Sequence, residues 1–383
     1  DGFYPPVTYP GIVSASAFQQ AIIQGLEQHG YDLSIITDSD MQSGIREEWS
    51  HNDLSADVKI AGIGNKLLRI PAKTIYLNRE LIKKDYFIGC KAVLAYEMHL
   101  PYLFTMRKLK KKNPQIKTVL ICPDLPMFMD IDARKFSLKK LLTYLDNFIT
   151  IRLLKYVDGY ILFTRQMADY LNVQDRSYAV IEGVFDEKAF DFSWVDTSYT
   201  PRYILHAGSL HKNMGIEQLI EAFHLIEDKE IELWFFGSGE MDNYIHKAAE
   251  NCPRIKHKGF VSPKELFMYE KAATMLVNVR STLDEYTKYS FPSKTFEFLA
   301  SAVPLLSTFT SGMPTEYKPY IYTIADNCPE NIKTGIEGIL KMPEKERSTF
   351  GVKARHFVMN EKNPMKQSSI LDELIETLCG MEN

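Results

Sequence analysis

Cysteine is scarce and never paired in a motif. Cys90, Cys122, Cys252, Cys328 and Cys379 are odd in number and widely dispersed, with no CxxC. That spacing excludes a disulfide framework and a zinc ribbon, and it fits a reducing compartment. The nine histidines are equally scattered, with no HExxH spacing, so no metal site is expected. An uncharged apolar run of about 18 residues is lacking, which argues against a transmembrane helix. The first residues show no basic stretch followed by an apolar run, so no signal peptide is expected. Positive charge is not in excess. The 45 Lys and Arg residues face 49 Asp and Glu, a formal charge of −4, which excludes a chain built to coat nucleic acid. Internal repeats and low-complexity segments are absent as well.

What is present is a globular balance, 45% hydrophobic and 25% charged, over 383 residues. That length exceeds one ordinary core and suits two domains. Short β-rich runs alternate with amphipathic helical runs. In the first half, strands are predicted at Leu33–Thr37, Lys73–Leu77, Ala92–Tyr96, Thr118–Cys122, Tyr160–Phe163 and Tyr178–Ile181, with a helix over Ala15–His29. The second half predicts strands at Tyr203–Ala207, Leu233–Phe236, Lys256–Val261, Met275–Val279, Leu305–Thr308 and Tyr320–Ile324. Helices alternate with these strands, among them Ile216–Ile226, Pro263–Ala273 and Pro292–Ala302. The pattern is that of two α/β sandwiches with parallel sheets.

Periodicity disappears between Phe185 and Arg202, which reads as a linker. The expected division is 1–190, 200–360 and a C-terminal helix within 361–383 that packs back on the first domain. Asp1-Gly-Phe-Tyr-Pro-Pro reads as a loop after a first strand, yet no strand precedes it. Residues upstream, or another segment, are expected to cover that sheet edge.

The strongest chemical signal runs from Asn278 to Leu306. A buried strand ends at Val279, a polar loop follows, and Ser290 or Phe291 precedes Pro292 in the first turn of a helix. Proline at that position leaves the amides of Ser293, Lys294 and Thr295 free. A helix start with a lysine and two hydroxyls suits an anion, and Glu297 one turn on can accept a sugar's vicinal hydroxyls. Together they suit a nucleoside diphosphate. The plainer alternative is a capped helix with a solvated lysine. A second signal is Leu205-His-Ala-Gly208-Ser209-Leu-His211-Lys212-Asn-Met-Gly215, a strand, a polar loop and a helix start. Gly208 permits close backbone approach, and Lys212 brings a cation. Phe236-Gly-Ser-Gly-Glu240 is a similar turn after the next strand.

On these residues the chain resembles a GT-B glycosyltransferase of the large retaining family 4 type, strongly from Tyr203 to Leu306 and loosely in the first half. Bacterial enzymes of capsule and exopolysaccharide synthesis share its Asn-x-Arg…Ser-Phe-Pro-Ser-Lys…Phe-Glu-x-Leu-Ala-Ser pattern. The resemblance implies two Rossmann-like domains facing each other across a cleft. It implies that Glu297 holds the nucleotide ribose, that the amides of Phe291 to Lys294 hold the donor phosphates, and that Gly259, Phe260 and Val261 frame the base. Gly11, in Tyr9-Pro-Gly-Ile, matches the glycine loop that closes on the diphosphate.

Two departures stand out. Tyr289 occupies the place of the first glutamate of the family's paired-glutamate motif, which contacts the transferred sugar; Glu285 or Asp284 can replace it from the same loop. Ser209 and Met214 stand where the family has an arginine and a lysine. Arg280, Lys212 and Lys294 are the cations left to neutralise a departing diphosphate.

The first half is then expected to hold the acceptor. His99 and Asp124 each follow a predicted strand and can orient a hydroxyl, or serve as cap and turn residues. Residues 101–160 carry 12 Lys or Arg against 5 Asp or Glu. Arg107-Lys-Leu-Lys-Lys-Lys112 leads this patch. Arg134, Lys135, Lys139 and Lys140 precede an apolar stripe of Leu138, Leu141, Leu142, Leu145, Phe148 and Ile149. Such a helix can lie on an anionic membrane face or pack on a core with its basic side in water.

The functional expectation is a metal-independent, retaining glycosyltransferase without a cofactor, at the cytoplasmic face of the inner membrane. It takes a nucleotide sugar, UDP-linked by the family resemblance, and a glycan or lipid-linked acceptor, and it binds no nucleic acid. Two alternatives stay open. A non-catalytic GT-B subunit that activates a partner transferase is suggested by Tyr289, Ser209 and Met214. A sugar-nucleotide epimerase would need a general base pair and no acceptor.

Overall fold

The computed structural model describes residues 10–33, 66–82, 89–125, 138–190, 192 and 201–380. They fall into two compact units, Leu26–Ile181 with Ser369–Asn383, and Asp1–Gly25 with Glu182–Ser368. In chain order the first elements are α1 (Pro10–Gln28), α2 (Lys66–Leu77), β1 (Ala92–Tyr96), α3 (Leu100–Lys112), β2 (Lys117–Cys122), α4 (Leu138–Leu153), β3 (Gly159–Leu162), α5 (Gln166–Leu171) and β4 (Ser177–Val180). Then come β5 (Tyr203–Ala207), α6 (Ile216–His224), β6 (Glu232–Phe236), α7 (Asp242–Asn251), β7 (Ile255–Gly259), α8 (Pro263–Ala272), β8 (Met275–Asn278) and α9 (Lys294–Ala300). β9 (Leu305–Thr308), β10 (Tyr322–Ile324), α10 (Pro329–Lys341), α11 (Glu344–Glu361) and α12 (Pro364–Gly380) complete the chain.

The first unit has a four-stranded sheet in the order β1-β2-β3-β4, every pair parallel. Val119, Leu120 and Cys122 of β2 have no exposed surface, as a strand covered on both faces requires. The end of α12 belongs to this unit. Tyr31 donates to Asp372 at 2.6 Å, and a Cβ on Gly159 would stand 2.7 Å from Leu378, so glycine lets that helix approach β3.

The second unit has a six-stranded parallel sheet in the order β10-β9-β8-β5-β6-β7. Alternate side chains of its strands feed two cores. Tyr203, Leu205 and Phe236 join Phe267 and Phe298 on one face, while Ile204 and Phe235 join Leu219, Phe223 and Ile336 on the other.

Ala92–Tyr96, Tyr203–Ala207 and Leu305–Thr308 are strands with the predicted bounds. Lys73–Leu77 is not a strand but the last part of α2. Its strand-favouring run Thr74-Ile-Tyr suggested extension, yet Lys73 and Leu77 are buried one turn apart while Ile75 is exposed. The Thr74 hydroxyl donates back to the Ile70 carbonyl at 2.8 Å, a helical bond. Leu33 is in no strand, and residues 34–37 lie outside the described residues, as do Asp1 to Pro6, Arg134 and Lys135. The segment read as a linker starts as packed structure. Phe185 stacks on Phe190 at 5.0 Å, and Phe190 and Phe192 both pack on Phe267 of α8. Its residues 191 and 193–200 lie outside the described set.

Candidate functional site

The second sheet reverses its direction of growth between β5 and β8. The chain winds outward from β5 through β6 to β7, returns to β8 beside β5, and winds outward again through β9 to β10. Open parallel sheets bind ligands beyond the strand carboxyl ends at such a point. The loop after β5 carries Gly208, Ser209 and Lys212, and the loop after β8 carries Arg280 to Ser293, so the topology brings both sequence motifs to the switch point.

Specific bonds tie these loops together. The Tyr286 hydroxyl, in the second loop, donates to the Asn213 carbonyl in the first at 2.9 Å. Gly215 has φ 76° and sits so close to the Val279 carbonyl that a Cβ would collide with it. The Lys212 amide donates to Glu240 Oε1 at 2.8 Å, the Leu210 amide to the Ser238 carbonyl at 3.0 Å, and the Gly237 amide to the Gly259 carbonyl at 2.9 Å. Gly259, Phe260 and Val261 therefore join the same end of the sheet as Gly208. Phe260 is 57% exposed, and nothing lies within 4 Å of a Cβ built on Gly208. Lys212 is exposed; Arg280 is half-buried, its carbonyl accepting the Thr308 hydroxyl at 2.7 Å.

The loop before α9 is anchored from within. Phe291 is buried against Phe296 and Tyr317, at ring distances of 5.1 and 5.2 Å, and Pro292 is buried too. Gly312 lies against the carbonyls of Thr287, Lys288 and Ser290, where a side chain would not fit. Ser290 is half-buried, while Ser293 and Glu285 are exposed. Regular helix starts at Lys294, two residues later than predicted. Thr295 departs from its expected role. Its amide donates to the Pro292 carbonyl at 2.8 Å and its side chain has no exposed surface, so neither is available to a phosphate. Gly11 also departs: it stands in the first turn of α1, where Pro10 presets a helical φ, and not in a loop.

Lys294 points inward. Its ammonium meets Glu297 one turn on, and lies 3.3 Å from Glu270 Oε1 of α8, a carboxyl with no exposed surface. Burial pushes the Glu270 carboxyl up, against the pull of Lys294. Burial pulls the Lys294 ammonium down, but the two carboxylates more than reverse this and hold it above the ordinary lysine value. The sequence did carry a sign of Glu270: it falls on the same stripe of α8 as Leu266 and Phe267.

In the first unit, β1 and β2 are neighbours, and their carboxyl ends carry Glu97 and Asp124. Glu97 has φ 77°, a left-handed conformation that costs a non-glycine residue on the order of 1 kcal/mol. Its amide donates to the Ile121 carbonyl at 2.9 Å, and its carbonyl accepts from the His99 amide at 2.9 Å. Burial and the nearby Asp124 push the Glu97 carboxyl up, while Lys73 pulls it down. Burial lowers Lys73 itself to about 8. His99 opens α3 without capping it through its side chain, and its ring packs edge-on to Tyr102 at 5.3 Å. His99 and Asp124 thus have Glu97 beside them, a residue that sequence reasoning passed over.

Residues 191–357 match the family Glycosyl transferases group 1. No curated protein matches the chain. Among solved structures, a glycosyltransferase from Rickettsia africae is similar over 99% of this chain and 97% of its own, with 12% identity and a TM-score of 0.68. Sucrose-phosphate synthase from Thermosynechococcus elongatus is similar over 83% of this chain and 80% of its own, with 16% identity and a TM-score of 0.62. HepE from Anabaena, solved in complex with UDP, covers 74% of this chain and 78% of its own, with 12% identity and a TM-score of 0.57. The chain has the α/β GT-B fold with two parallel sheets, and with the group 1 match over residues 191–357 this supports a glycosyltransferase.

Proposed function

We propose that this protein is a retaining glycosyltransferase that moves a sugar from a UDP-linked donor to a hydroxyl of a glycan or lipid-linked acceptor in surface polysaccharide synthesis. The observation that carries this reading is the meeting of the β5 and β8 loops at the switch point of the second sheet, the second of which leads into α9 with Glu297. UDP in the HepE structure supports the choice of nucleotide.

In this reading the sugar's anomeric bond to the diphosphate breaks as the acceptor oxygen bonds to the same face of the anomeric carbon. The departing phosphate oxygen takes the acceptor proton, so no protein nucleophile is needed. Charge grows on the diphosphate, and Arg280, Lys212 and the backbone around Ser290 to Ser293 are the groups that meet it. Glu297 accepts from the ribose hydroxyls, and Gly259 to Val261 border the base. Glu97, Asp124 and His99 orient the acceptor hydroxyl. No metal takes part in this scheme.

The acceptor unit also favours a membrane face. Tyr144, Leu145, Phe148, Ile149 and Ile151 of α4 are exposed, and Arg152 lies 4.0 Å over the Phe148 ring. Exposed apolar residues among cations suit an anionic bilayer, where a lipid-linked acceptor resides. No helix among the described residues is long and apolar enough to cross a membrane, so contact is peripheral in this reading, at the cytoplasmic face.

A melting-temperature screen with UDP, GDP, ADP and CMP sugars, with and without EDTA, tests the proposal, since a ligand that binds only the folded state raises stability by mass action. A rise with a UDP sugar that survives EDTA is expected. The absence of any rise would overturn the donor assignment.

A further inference from the structure

We propose that Glu270 is a positioning residue for the donor nucleotide: it holds the Lys294 ammonium at the inner side of α9, and Lys294 in turn fixes the Glu297 carboxylate toward the ribose. The inference rests on the proposed reading of Glu297. It assigns Lys294 to the nucleoside end of the donor and not to the diphosphate.

Glu270 is an expensive residue where it stands. It shares the inner stripe of α8 with Leu266 and Phe267, has no exposed surface, and among the described residues the Lys294 ammonium is the cation it is paired with. An apolar side chain of similar size would fill that place at no desolvation cost. Stability alone gives no reason for a carboxyl there. The Lys294 ammonium, 3.3 Å away, does give one.

Lys294 is the first residue of α9, and Glu297 stands three positions on, at helical reach. The ammonium engages Glu297 Oε2 and faces Glu270 Oε1. Held from both sides, it stabilises one rotamer of Glu297 and leaves Oε1 of that carboxylate to accept from a ligand. Without Glu270 the ammonium is free to swing outward, and Glu297 loses its fixed orientation. A freely rotating carboxylate pays ordering entropy when it binds a diol, so affinity falls although the contacting group is intact.

The test is calorimetric titration of the full chain with UMP and with UDP, for wild type, Glu270→Leu, Glu270→Gln and Lys294→Met. Glu270→Leu and Lys294→Met are expected to weaken both nucleotides by the same factor, about tenfold. Glu270→Gln keeps an acceptor oxygen for the ammonium and is expected to retain wild-type affinity. A loss in Lys294→Met that is much larger for UDP than for UMP would place the ammonium on the diphosphate and overturn the inference. So would an unchanged affinity in Glu270→Leu with only a lower melting temperature, the mark of a purely structural role. Wild type that binds neither nucleotide would overturn the donor reading itself, a result separate from the other two.

Discussion

The Lys294 ammonium stands 3.3 Å from Glu270, a carboxyl with no exposed surface, and pairs with Glu297 on its other side. Burial raises Glu270 from 4.5 to about 8 even with that cation beside it. The folded state therefore keeps a proton that the unfolded chain has already released. Stability from this group is complete below the unfolded value and is lost as pH rises through the folded one. Thermal melts of wild type should fall from pH 5.5 to 8.5, and Glu270→Gln should show a shallower fall. Parallel slopes would contradict the burial argument.

His206 makes the opposite prediction. It is buried in β5 with Nδ1 3.2 Å from the Val277 carbonyl, and burial lowers it to about 4. The unfolded chain takes up a proton first as pH falls. This stability is complete above the ordinary histidine value and is lost between there and the folded one. At pH 5 the loss relative to pH 7.5 is about 2 kcal/mol. Urea melts at the two pH values, for wild type and His206→Leu, read it directly. The variant should lack that part of the acid sensitivity.

A buried polar cluster adjoins Phe291 in the loop between β8 and α9. The Tyr317 hydroxyl donates to Glu182 Oε1 at 2.5 Å, and Lys362 pairs with the same oxygen at 2.5 Å. Tyr317 has no exposed surface, and its ring supports Phe291 and Phe296. Tyr317→Phe keeps the ring and removes one hydrogen bond to a buried carboxylate, so it should cost about 2 kcal/mol in equilibrium unfolding. An unchanged unfolding midpoint would show that Lys362 alone satisfies Glu182.

Two glycines should respond in opposite directions to alanine. Gly237 has φ 124°, and a Cβ there would collide with the Gly208 carbonyl, so Gly237→Ala should destabilise by more than about 1 kcal/mol and weaken nucleotide binding. Gly338 is exposed in α10 with nothing within 4 Å of a Cβ. Gly338→Ala should stabilise by about 0.5–1 kcal/mol. Melting temperatures of the pair suffice, and a shift of the same sign in both would contradict the local geometry.

The strands at Ala92–Tyr96, Tyr203–Ala207 and Leu305–Thr308 were legible as short, mostly apolar runs, and the last two are buried on both faces. The stretch Ser290 to Glu297 was legible as a loop entering a helix, since proline and serine mark such a start. Other features depend on tertiary contacts. The strand-favouring run Thr74-Ile-Tyr in α2 looks extended until Lys73 and Leu77 are buried on one side. The inward turn of Lys294 needs its partner, and Glu270 lies on another helix, so lysine spacing alone suggested a ligand-facing cation. The left-handed backbone of Glu97 has no sequence mark, since nothing in Tyr96-Glu97-Met98 demands a positive φ.

The most direct test of the account is titration of wild type and Glu297→Ala with UDP, without added metal. Wild type should bind, and Glu297→Ala should bind at least about tenfold more weakly with its fold intact by circular dichroism. Equal affinity in the two proteins would contradict the placement of the nucleotide at the β5–β8 switch point.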